Sequence, residues 1–228
     1  MKAMILAAGL GSRMRPLTDS LPKPLLKVGD KALIEYHIGN LAAAGITQIV
    51  INHYHLGEKL EAALGDGARY GVNIAYSRET VRLETAGGIV KALPLLGEEP
   101  FAVISADIWT DYNYTNLKSV DGEDTLARLI MVKNPPHHQA GDFALTSEGR
   151  LTIAAEGADT GLTYSGISIM HPKLFAHLPE EPLALRPVLN KAIASNLIEA
   201  EMHDGLWFDI GTPERLLELD TYLREVLS

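Results

Sequence analysis

The sequence predicts an α/β fold in which a mostly parallel, twisted sheet is flanked by helices. Three observations support this prediction. Short apolar runs without polar alternation recur along the chain, as expected of strands that are buried on both faces of a sheet. Segments with apolar residues at helical spacing separate these runs, so consecutive strands need crossover connections and pair in parallel. Glycines such as Gly45 follow the predicted helices and favour their termination.

The first half of the chain alternates strands with helices. The predicted strands cover Ala3–Leu6, Ile49–Ile51, Val72–Tyr76 and Phe101–Ile104, and the predicted helices cover residues 34–42, 56–64 and 84–93. This is the element order of a Rossmann-like sheet with right-handed crossovers, in which ligands bind beyond the carboxyl ends of the strands. We therefore expect functional residues directly after these strands.

The second half of the chain adds shorter elements. Two apolar segments flank Glu148-Gly149 and predict a hairpin, and hence a small antiparallel insertion. The last helix is predicted to begin at Pro213, with Thr212 as its N-cap. The other predicted elements are strands at Ala127–Val132, Phe143–Leu145, Leu151–Ile153 and Thr163–Ile169, and helices at 172–177 and 185–194.

Length and composition limit the classes of protein to which this chain can belong. With 228 residues, 46% of them hydrophobic, the chain can bury one substantial core, so we expect a single domain over residues 1–228. The net charge of −9 disfavours a broad nucleic-acid surface. No apolar run approaches the ~20 residues of a membrane span, and no targeting segment is evident, so we expect a cytoplasmic protein. The absence of cysteine excludes a thiolate metal site and a cysteine nucleophile.

The stretch from Met4 to Pro24 combines a strand with a loop suited to phosphate groups. Small residues follow the strand, and Gly9 and Gly11 leave backbone N–H groups accessible to an anion. Lys23 lies between two prolines that restrict the backbone around its ammonium group. Met14 stands where a dinucleotide-binding fingerprint has its third glycine, and the Gly-Lys-Ser/Thr of a Walker loop is absent, so both of these sites are disfavoured. A purely structural glycine turn remains the alternative.

Two longer motifs resemble the signatures of one enzyme family. L-A-A-G-L-G-S-R-M-R-P-L-T, which begins at Leu6, is followed by P-K-P-L-L, and W-F-D-I-G-T-P begins at Trp207. The combination resembles the sugar-1-phosphate nucleotidyltransferases, which join a nucleoside triphosphate to a sugar 1-phosphate and release pyrophosphate. The resemblance covers nearly the whole chain. It implies a GT-A-like nucleotidyltransferase fold, with the antiparallel insertion on the sugar side.

The resemblance implies a nucleotide site at the glycine-rich loop and at the start of the third predicted helix. In the family, the loop and its arginine hold the triphosphate, the proline-flanked lysine contacts the phosphates, and a Gly-Thr-Ala-Gly-like stretch packs on the base. Here E-T-A-G-G from Glu84 takes that last place, although an ordinary helix start also fits. The implied nucleotide-binding residues are Ala8, Gly9, Gly11, Ser12, Arg13, Lys23, Glu79, Ala86 and Gly87.

The resemblance also implies that Mg²⁺ is held by Asp107 and Asp209. Asp107 follows a predicted central strand, where a hard cation can be bound, although a turn or capping role also fits an aspartate there. Asp209 lies in the second signature. Together with Lys23 and Arg13, these two carboxylates are the implied catalytic residues.

Four residues are implied on the sugar side, namely Ser105, Gly141, Glu156 and Gly166. The chain departs from the family pattern at two of these places. Ser105-Ala106 stands where members commonly have Gly-Asp or Asn-x-Asp. Gly157-Ala158 follows Glu156 where many members have Lys-Pro, so the lysine that contacts the sugar phosphate in those members is missing.

The motifs E-T-A-G-G-I, D-I-W-T-D-Y and N-P-P-H-H-Q-A-G-D-F most resemble one subgroup of short family members. That subgroup uses UTP and N-acetylmuramic acid α-1-phosphate in bacterial cell-wall recycling. The resemblance thus implies a sugar with an acidic lactyl ether, and the candidate partners of its carboxylate are Arg186 and Lys191. Mannose- or glucose-1-phosphate nucleotidyltransferases share the core signatures and are the alternative.

Two other classes of function compete with this hypothesis. A non-catalytic regulator on the same fold would lose the metal carboxylates or Lys23, but this chain has all three. A glycosyltransferase would place Asp107 and Asp111 on one metal ion and would release a nucleoside diphosphate. We expect Asp111 to be structural instead, and the adjacent histidines His137 and His138 to lie in a solvated loop.

Overall fold

The computed structural model describes residues 1–146, 150–153 and 161–227, which form thirteen strands and five α-helices. The strands are β1 (Lys2–Leu6), β2 (Lys27–Val28), β3 (Lys31–Ala32), β4 (Gln48–His53), β5 (Asn73–Arg78), β6 (Phe101–Ser105), β7 (Ile108–Thr110), β8 (Ala127–Val132), β9 (Phe143–Leu145), β10 (Leu151–Ile153), β11 (Gly161–Met170), β12 (Ile198–Met202) and β13 (Trp207–Asp209). The helices are α1 (Leu33–Ala43), α2 (Gly57–Leu64), α3 (Glu84–Leu96), α4 (Leu185–Ala194) and α5 (Pro213–Leu227).

The central sheet runs in the order β10-β9-β11-β6-β1-β4-β5, and β8 joins it through β11 and carries β12. Strands β6, β1, β4 and β5 pair in parallel, with helices between them in sequence. Strand β11 is antiparallel to β6, and the β9–β10 pair extends the sheet beyond it. The predicted fold class is confirmed, including the small antiparallel insertion.

Both faces of the sheet are covered, as its uninterrupted apolar strands predict. Ile5 of β1 lies in a core that contains Ile34 of α1, whereas its neighbour Met4 lies in a second core with Ile89 of α3. Adjacent residues of a strand face opposite sides of a sheet, so the two cores lie on opposite faces. All four side chains are fully buried, and each contributes about 1.5–3 kcal/mol of hydrophobic stabilisation.

A third core ties the last helix to the glycine-rich loop. Met14, at the end of that loop, is buried together with Ile210 and with Leu219 of α5. Thr212 caps α5 as predicted, because its Oγ1 accepts a hydrogen bond from the N–H of Arg215 at 3.5 Å. The C-terminal helix therefore supports the loop that is predicted to bind phosphates.

Several elements differ from the sequence predictions. The helix predicted at 172–177 is a single 3₁₀ turn, Pro172–Phe175, and His177, which has a φ of 68° in the left-handed region, lies outside it. Strand β12 was not predicted, and it pairs in parallel with β8. Strands β7 and β13 were not predicted either, and they form a separate two-stranded ladder. None of the described helices is long and apolar enough to cross a membrane.

Candidate active site

A cavity of about 540 Å³ opens at the carboxyl ends of β1 and β6. Its wall includes Leu6 to Gly9 after β1, Ser105 to Asp107 after β6, and Lys23. Further wall residues come from the start of α3, the start of α4 and the β9 region. The cavity thus lies where parallel α/β sheets bind their ligands.

The glycine-rich loop is held by its own hydrogen bonds. Gly11 has a φ of 61°, and its carbonyl oxygen accepts a hydrogen bond from Thr18 Oγ1 at 2.8 Å. A Cβ on Gly11 would lie 2.9 Å from Thr18 Cγ2, whereas a Cβ on Gly9 would meet nothing within 4 Å. The space beside Gly9 is therefore open, and both Gly9 and Ala8 line the cavity.

Ser12 and Arg13 lie on the exposed side of the same loop. Arg13 has no hydrogen bond or ion pair with any residue that the structure describes. The guanidinium group is thus available to an anion, in line with its predicted contact to the triphosphate. Neither Ser12 nor Arg13 is part of the cavity wall.

Lys23 and Asp107 form an ion pair in the cavity wall. The Lys23 ammonium donates a hydrogen bond to Asp107 Oδ2 at 2.7 Å. The lysine side chain is 10% exposed, while the aspartate side chain is 49% exposed. Pro22 precedes Lys23 with a φ of −64°, and Lys23 begins a 3₁₀ turn that fixes its backbone. The proline-flanked lysine is therefore held in one place beside the cavity, as its sequence context predicts.

The β7–β13 ladder brings the backbone of Asp209 next to the segment that contains Asp107. Asp209 pairs with Ile108, and the N–H of Ile210 donates to the carbonyl oxygen of Asp107 at 2.8 Å. The guanidinium group of Arg215 donates to Asp209 Oδ1, and His137 Nε2 lies 2.8 Å from the same oxygen. The structure thus joins the two predicted metal carboxylates, which are distant in sequence, through adjacent backbone segments.

Asp111 has a different environment. Its Oδ1 accepts a hydrogen bond from the N–H of Leu206 at 2.8 Å and lies 2.9 Å from His203 Nε2. These contacts hold the turn before β13, so the expectation that Asp111 is structural agrees with its position. A glycosyltransferase-type pair of Asp107 and Asp111 on one metal ion is disfavoured for the same reason.

The ladder that carries Asp107 rests on a buried histidine. His37 of α1 lies between Tyr114, whose hydroxyl group is 2.8 Å from Nδ1, and the carbonyl oxygen of Ile108, which is 2.9 Å from Nε2. The Ile108 carbonyl oxygen can only accept a hydrogen bond, so Nε2–H donates to it and Nδ1 accepts a hydrogen bond from the Tyr114 hydroxyl group. Burial lowers the pKa of His37 to about 4, and the imidazole is neutral at pH 7.

The residues predicted to contact the base, Ala86 and Gly87, are covered by the chain segment that contains Glu181 and Leu183. Ala86 is fully buried, and the N–H groups of Ala86 and Gly87 both point to the carbonyl oxygen of Leu183, at 2.9 and 3.2 Å. A Cβ on Gly87 would lie 2.1 Å from the carbonyl oxygen of Glu181. At this helix start, it is Glu84 and Thr85 that line the cavity. A direct contact of Ala86 and Gly87 with a base stays a prediction.

Glu79 is buried, and its carboxylate accepts hydrogen bonds from neighbouring groups. Its Oε1 accepts a hydrogen bond from Asn52 Nδ2 at 2.7 Å, and its Oε2 accepts one from the N–H of Leu83 at 3.1 Å. Asn52 Oδ1 in turn accepts the N–H of Ala7 at 3.0 Å. Glu79 therefore supports Asn52, which lines the cavity and orients the backbone after β1. Its predicted contact with the base is not tested by this arrangement.

The predicted sugar residues are distributed around one end of the cavity. Ser105 lines the cavity, and Gly166 packs directly against it, since a Cβ on Gly166 would lie 2.8 Å from Ser105 Oγ. Gly141, with a φ of 66°, packs against Asn134 and does not line the cavity, but the next residue, Asp142, does. Glu156 lies outside the described residues.

Several cavity residues were not found from the sequence. Asn52 carries a clear signal in retrospect, because it is the first polar residue after three apolar residues of β4 and stands near the strand's carboxyl end. Arg82 lies in the polar segment beyond the carboxyl end of β5, where the fold predicts a ligand crevice. Asp142 and Tyr164 carry no such signal, since they reach the cavity from a loop and from an irregular part of β11. Arg186, a candidate partner of a substrate carboxylate, lines the cavity as well.

Known proteins resemble this chain in sequence and in fold. The family model described as "Nucleotidyl transferase" matches residues 2–225. The N-acetylmuramate alpha-1-phosphate uridylyltransferase of Neisseria meningitidis serogroup B is 50% identical over 96% of this chain and 96% of that protein. The protein of the same name from Caulobacter vibrioides is 35% identical over 98% of this chain and 97% of its own length. A UDP-glucose pyrophosphorylase solved with UDP-glucose shares the fold, with a TM-score of 0.80 and 21% identity over 99% of this chain and all of that one.

Proposed function

Because the chain belongs to the nucleotidyl transferase family, we propose that it transfers the uridylyl group of UTP to N-acetylmuramic acid α-1-phosphate and releases pyrophosphate. The observation that carries this proposal is the identity to the meningococcal uridylyltransferase, which extends over nearly the full length of both proteins. The cavity supports it, since it brings phosphate-binding features and a sugar-side insertion to one place. The proposal includes a cytoplasmic role in peptidoglycan recycling, the setting that the sequence resemblance implies.

The chemistry requires no general base. A phosphate monoester has a second pKa near ~6, so the attacking oxygen of the sugar phosphate is largely deprotonated at pH 7. This oxygen attacks the α-phosphorus in line, and pyrophosphate leaves from the opposite side. The protein must therefore overcome the repulsion between two anions and stabilise the charge that moves onto the pyrophosphate.

Lys23 and Arg13 can stabilise this negative charge at two different phosphate groups. Lys23 is buried beside the cavity and is fixed by its backbone, so its ammonium group is preorganised for the α-phosphate. Arg13 is exposed on the glycine-rich loop, where it can hold the departing pyrophosphate together with the loop amides. Ser12, at the start of the 3₁₀ turn in the same loop, can contribute a further donor.

The residues present fit Mg²⁺, which we propose as the cofactor. Asp107 and Asp209 offer hard oxygen ligands, and Asp107 Oδ1 and Asp209 Oδ2 accept no hydrogen bond from the described residues. Over the described ranges, no group of three or more acidic or histidine side chains forms a metal site by itself. Mg²⁺ commonly takes one or two carboxylates and completes its shell with phosphate oxygens and water. When bound, it would neutralise charge on the triphosphate.

Each proposed metal carboxylate is paired with a cationic side chain. Lys23 compensates Asp107, and Arg215 compensates Asp209. These pairs compensate the negative charge of the two carboxylates, because an unpaired charge near a protein interior is strongly disfavoured. They also orient the two carboxylates before substrates bind.

A panel of pyrophosphate-release assays tests the proposal. It crosses UTP, CTP, GTP, ATP and dTTP with the 1-phosphates of N-acetylmuramic acid, N-acetylglucosamine, glucose and mannose. We expect UTP with N-acetylmuramic acid α-1-phosphate to have the highest kcat/KM. If GTP with mannose 1-phosphate is preferred by about tenfold, or roughly 1.4 kcal/mol, the substrate assignment is wrong while nucleotidyl transfer still holds.

A further inference from the structure

Arg186 presents a fixed guanidinium group to the cavity. Its Nη1 donates to Asp142 Oδ1 at 2.9 Å, and its Nη2 donates to the Asp142 carbonyl oxygen at 2.5 Å. The guanidinium carbon lies 5.0 Å from the centre of the Phe143 ring, over its face. The side chain is nevertheless 47% exposed, so it is both oriented by the protein and accessible to a ligand.

Asp142 is itself held in place, which makes it a rigid support for Arg186. Its Oδ2 accepts the N–H of Tyr164 at 2.9 Å, and its own N–H donates to the carbonyl oxygen of Leu162 at 2.8 Å. His138 Nε2 lies 3.3 Å from Oδ1. The orientation of Arg186 therefore depends on the backbone of β11 and not only on a flexible surface contact.

The guanidinium group retains free donors. A guanidinium carries five N–H groups, and two of them are used on Asp142 among the described residues. The others can form the paired hydrogen bonds that arginine makes with a carboxylate. A guanidinium can contact two carboxylates along different edges, so Asp142 need not be displaced when a second carboxylate binds.

The position of Arg186 places it on the sugar side of the cavity. Its contacts are with Asp142 and Phe143, at the start of β9. The opposite side of the cavity is formed by Asn52 of β4 and by Arg82 after β5. Strands β11, β6 and β1 separate β9 from β4 in the sheet, and the Lys23–Asp107 pair lies between the two sides, after β1 and β6.

We propose that Arg186 binds a carboxylate of the sugar substrate and so determines specificity for an acidic sugar. This inference rests on the proposed function, in which the sugar carries the lactyl carboxylate of N-acetylmuramic acid. Arg186 then contacts the lactyl group, while Lys23 serves the phosphates at the reacting end. Arg186 and Lys191 are the two partners of this carboxylate that the sequence resemblance implies. Arg186 lines the cavity, whereas Lys191 is exposed and does not line it.

The test pairs a variant with a matched change in the substrate. Arg186→Gln removes the charge and keeps a polar side chain of similar length, and Lys191→Gln is the control on the same helix. The two substrates are the α-1-phosphates of N-acetylmuramic acid and of N-acetylglucosamine, which differ by the lactyl ether. A third substrate is N-acetylmuramic acid α-1-phosphate with the lactyl group as its methyl ester, which removes the charge from the ligand instead.

We expect Arg186→Gln to lower kcat/KM for N-acetylmuramic acid α-1-phosphate by about tenfold to hundredfold, mainly through KM, as for the loss of a charged hydrogen-bond partner. The value for N-acetylglucosamine 1-phosphate should change by less than about twofold, and Lys191→Gln should leave both values unchanged. The wild-type enzyme should lose a similar factor with the methyl ester, whereas Arg186→Gln should treat acid and ester alike.

Other outcomes overturn the inference. An equal loss with both sugars means that Arg186 only supports Asp142 and the cavity wall, and no loss with either means that it touches neither substrate. If Arg186→Gln does not fold, the wild-type enzyme decides alone, since equal use of acid and ester excludes a carboxylate contact. Failure of the wild-type enzyme to use N-acetylmuramic acid α-1-phosphate at all contradicts the proposed function instead.

Discussion

The buried imidazole of His37 should make the stability of this protein depend on pH. Burial lowers the pKa of His37 in the folded state from 6.5 to about 4. Below pH 6.5 the unfolded chain therefore binds a proton at this residue that the folded chain does not bind, and stability falls as the pH falls towards 4. Between pH 7 and pH 5, these two pKa values correspond to a loss of about 2 kcal/mol in the free energy of unfolding.

Urea unfolding at pH 7 and at pH 5 measures this effect. Ion pairing lowers the pKa values of carboxylates such as Glu61 and Glu199. Protonation of these groups therefore affects stability at a more acidic pH than the range from 7 to 5. His37→Gln keeps a donor for the Ile108 carbonyl oxygen and an acceptor for Tyr114, but it does not titrate. The pH-dependent loss should thus be smaller by about 2 kcal/mol in this variant, whereas replacing the exposed His55 by Gln should leave it unchanged.

An equal loss of unfolding free energy in His37→Gln and in the wild-type protein between pH 7 and pH 5 would contradict this prediction. His37 would then be protonated in the folded state, or accessible to water. Because His37 supports the carbonyl oxygen of Ile108, next to Asp107, the variant also reports on the site. If His37→Gln displaces β7, kcat should fall although the free energy of unfolding at pH 7 changes little.

Four further predictions concern the active site and its glycine-rich loop. Asp107→Ala or Asp209→Ala should reduce turnover by at least about a hundredfold at saturating Mg²⁺ with the circular dichroism spectrum retained, and near-normal rates in limiting Mg²⁺ would exclude these residues as metal ligands. Lys23→Ala should lower kcat more than it raises KM for UTP, while a change confined to KM would make it a ground-state contact. Gly11→Ala should destabilise the protein by about 1–3 kcal/mol, since its φ of 61° and the contact with Thr18 are both unfavourable for alanine. Gly9→Ala, which meets no neighbouring atom, should keep stability within about 0.5 kcal/mol but weaken triphosphate binding in a calorimetric titration.

Much of the fold could be predicted because its elements have strong local patterns. Helix α4 begins and ends at the predicted residues, Leu185 and Ala194, and strand β8 likewise covers Ala127–Val132. Strand β12 was missed although its sequence, Ile-Glu-Ala-Glu-Met, alternates between apolar and acidic residues. That alternation of period two is a usable strand signal, and it places Ile198 in the core while the glutamates form ion pairs and hydrogen bonds.

The assembly of the site could not be predicted from local patterns. Asp209 meets the Asp107 segment through strands of three residues, which are too short for any periodicity to be detected. Their association was inferred only from the family resemblance. His137 lies in an exposed loop, in agreement with its prediction, and its imidazole also lies beside Asp209 and Arg215. The sequence does not show this contact, because residues that are 78 positions apart meet only in the folded chain.

The small residues at the start of α3 illustrate a second limit of prediction from the sequence. Small residues such as Ala86 and Gly87 suit contact with a flat base, but they equally suit close packing against another backbone. In the structure, the carbonyl oxygens of Glu181 and Leu183 occupy that space. Sequence alone does not distinguish these two uses, since both need the same absence of side-chain bulk.

Product analysis is the direct test of the proposed uridylyl transfer to an acidic sugar phosphate. The protein is incubated with Mg²⁺, UTP labelled at the α-phosphate and N-acetylmuramic acid α-1-phosphate, and the products are separated and identified by mass spectrometry. We predict that the label appears in UDP-N-acetylmuramic acid and that one unlabelled pyrophosphate forms for each molecule of product. Label in UDP or UMP would contradict this proposal, as would a labelled sugar nucleotide that forms only when UTP is replaced by another triphosphate labelled at its α-phosphate.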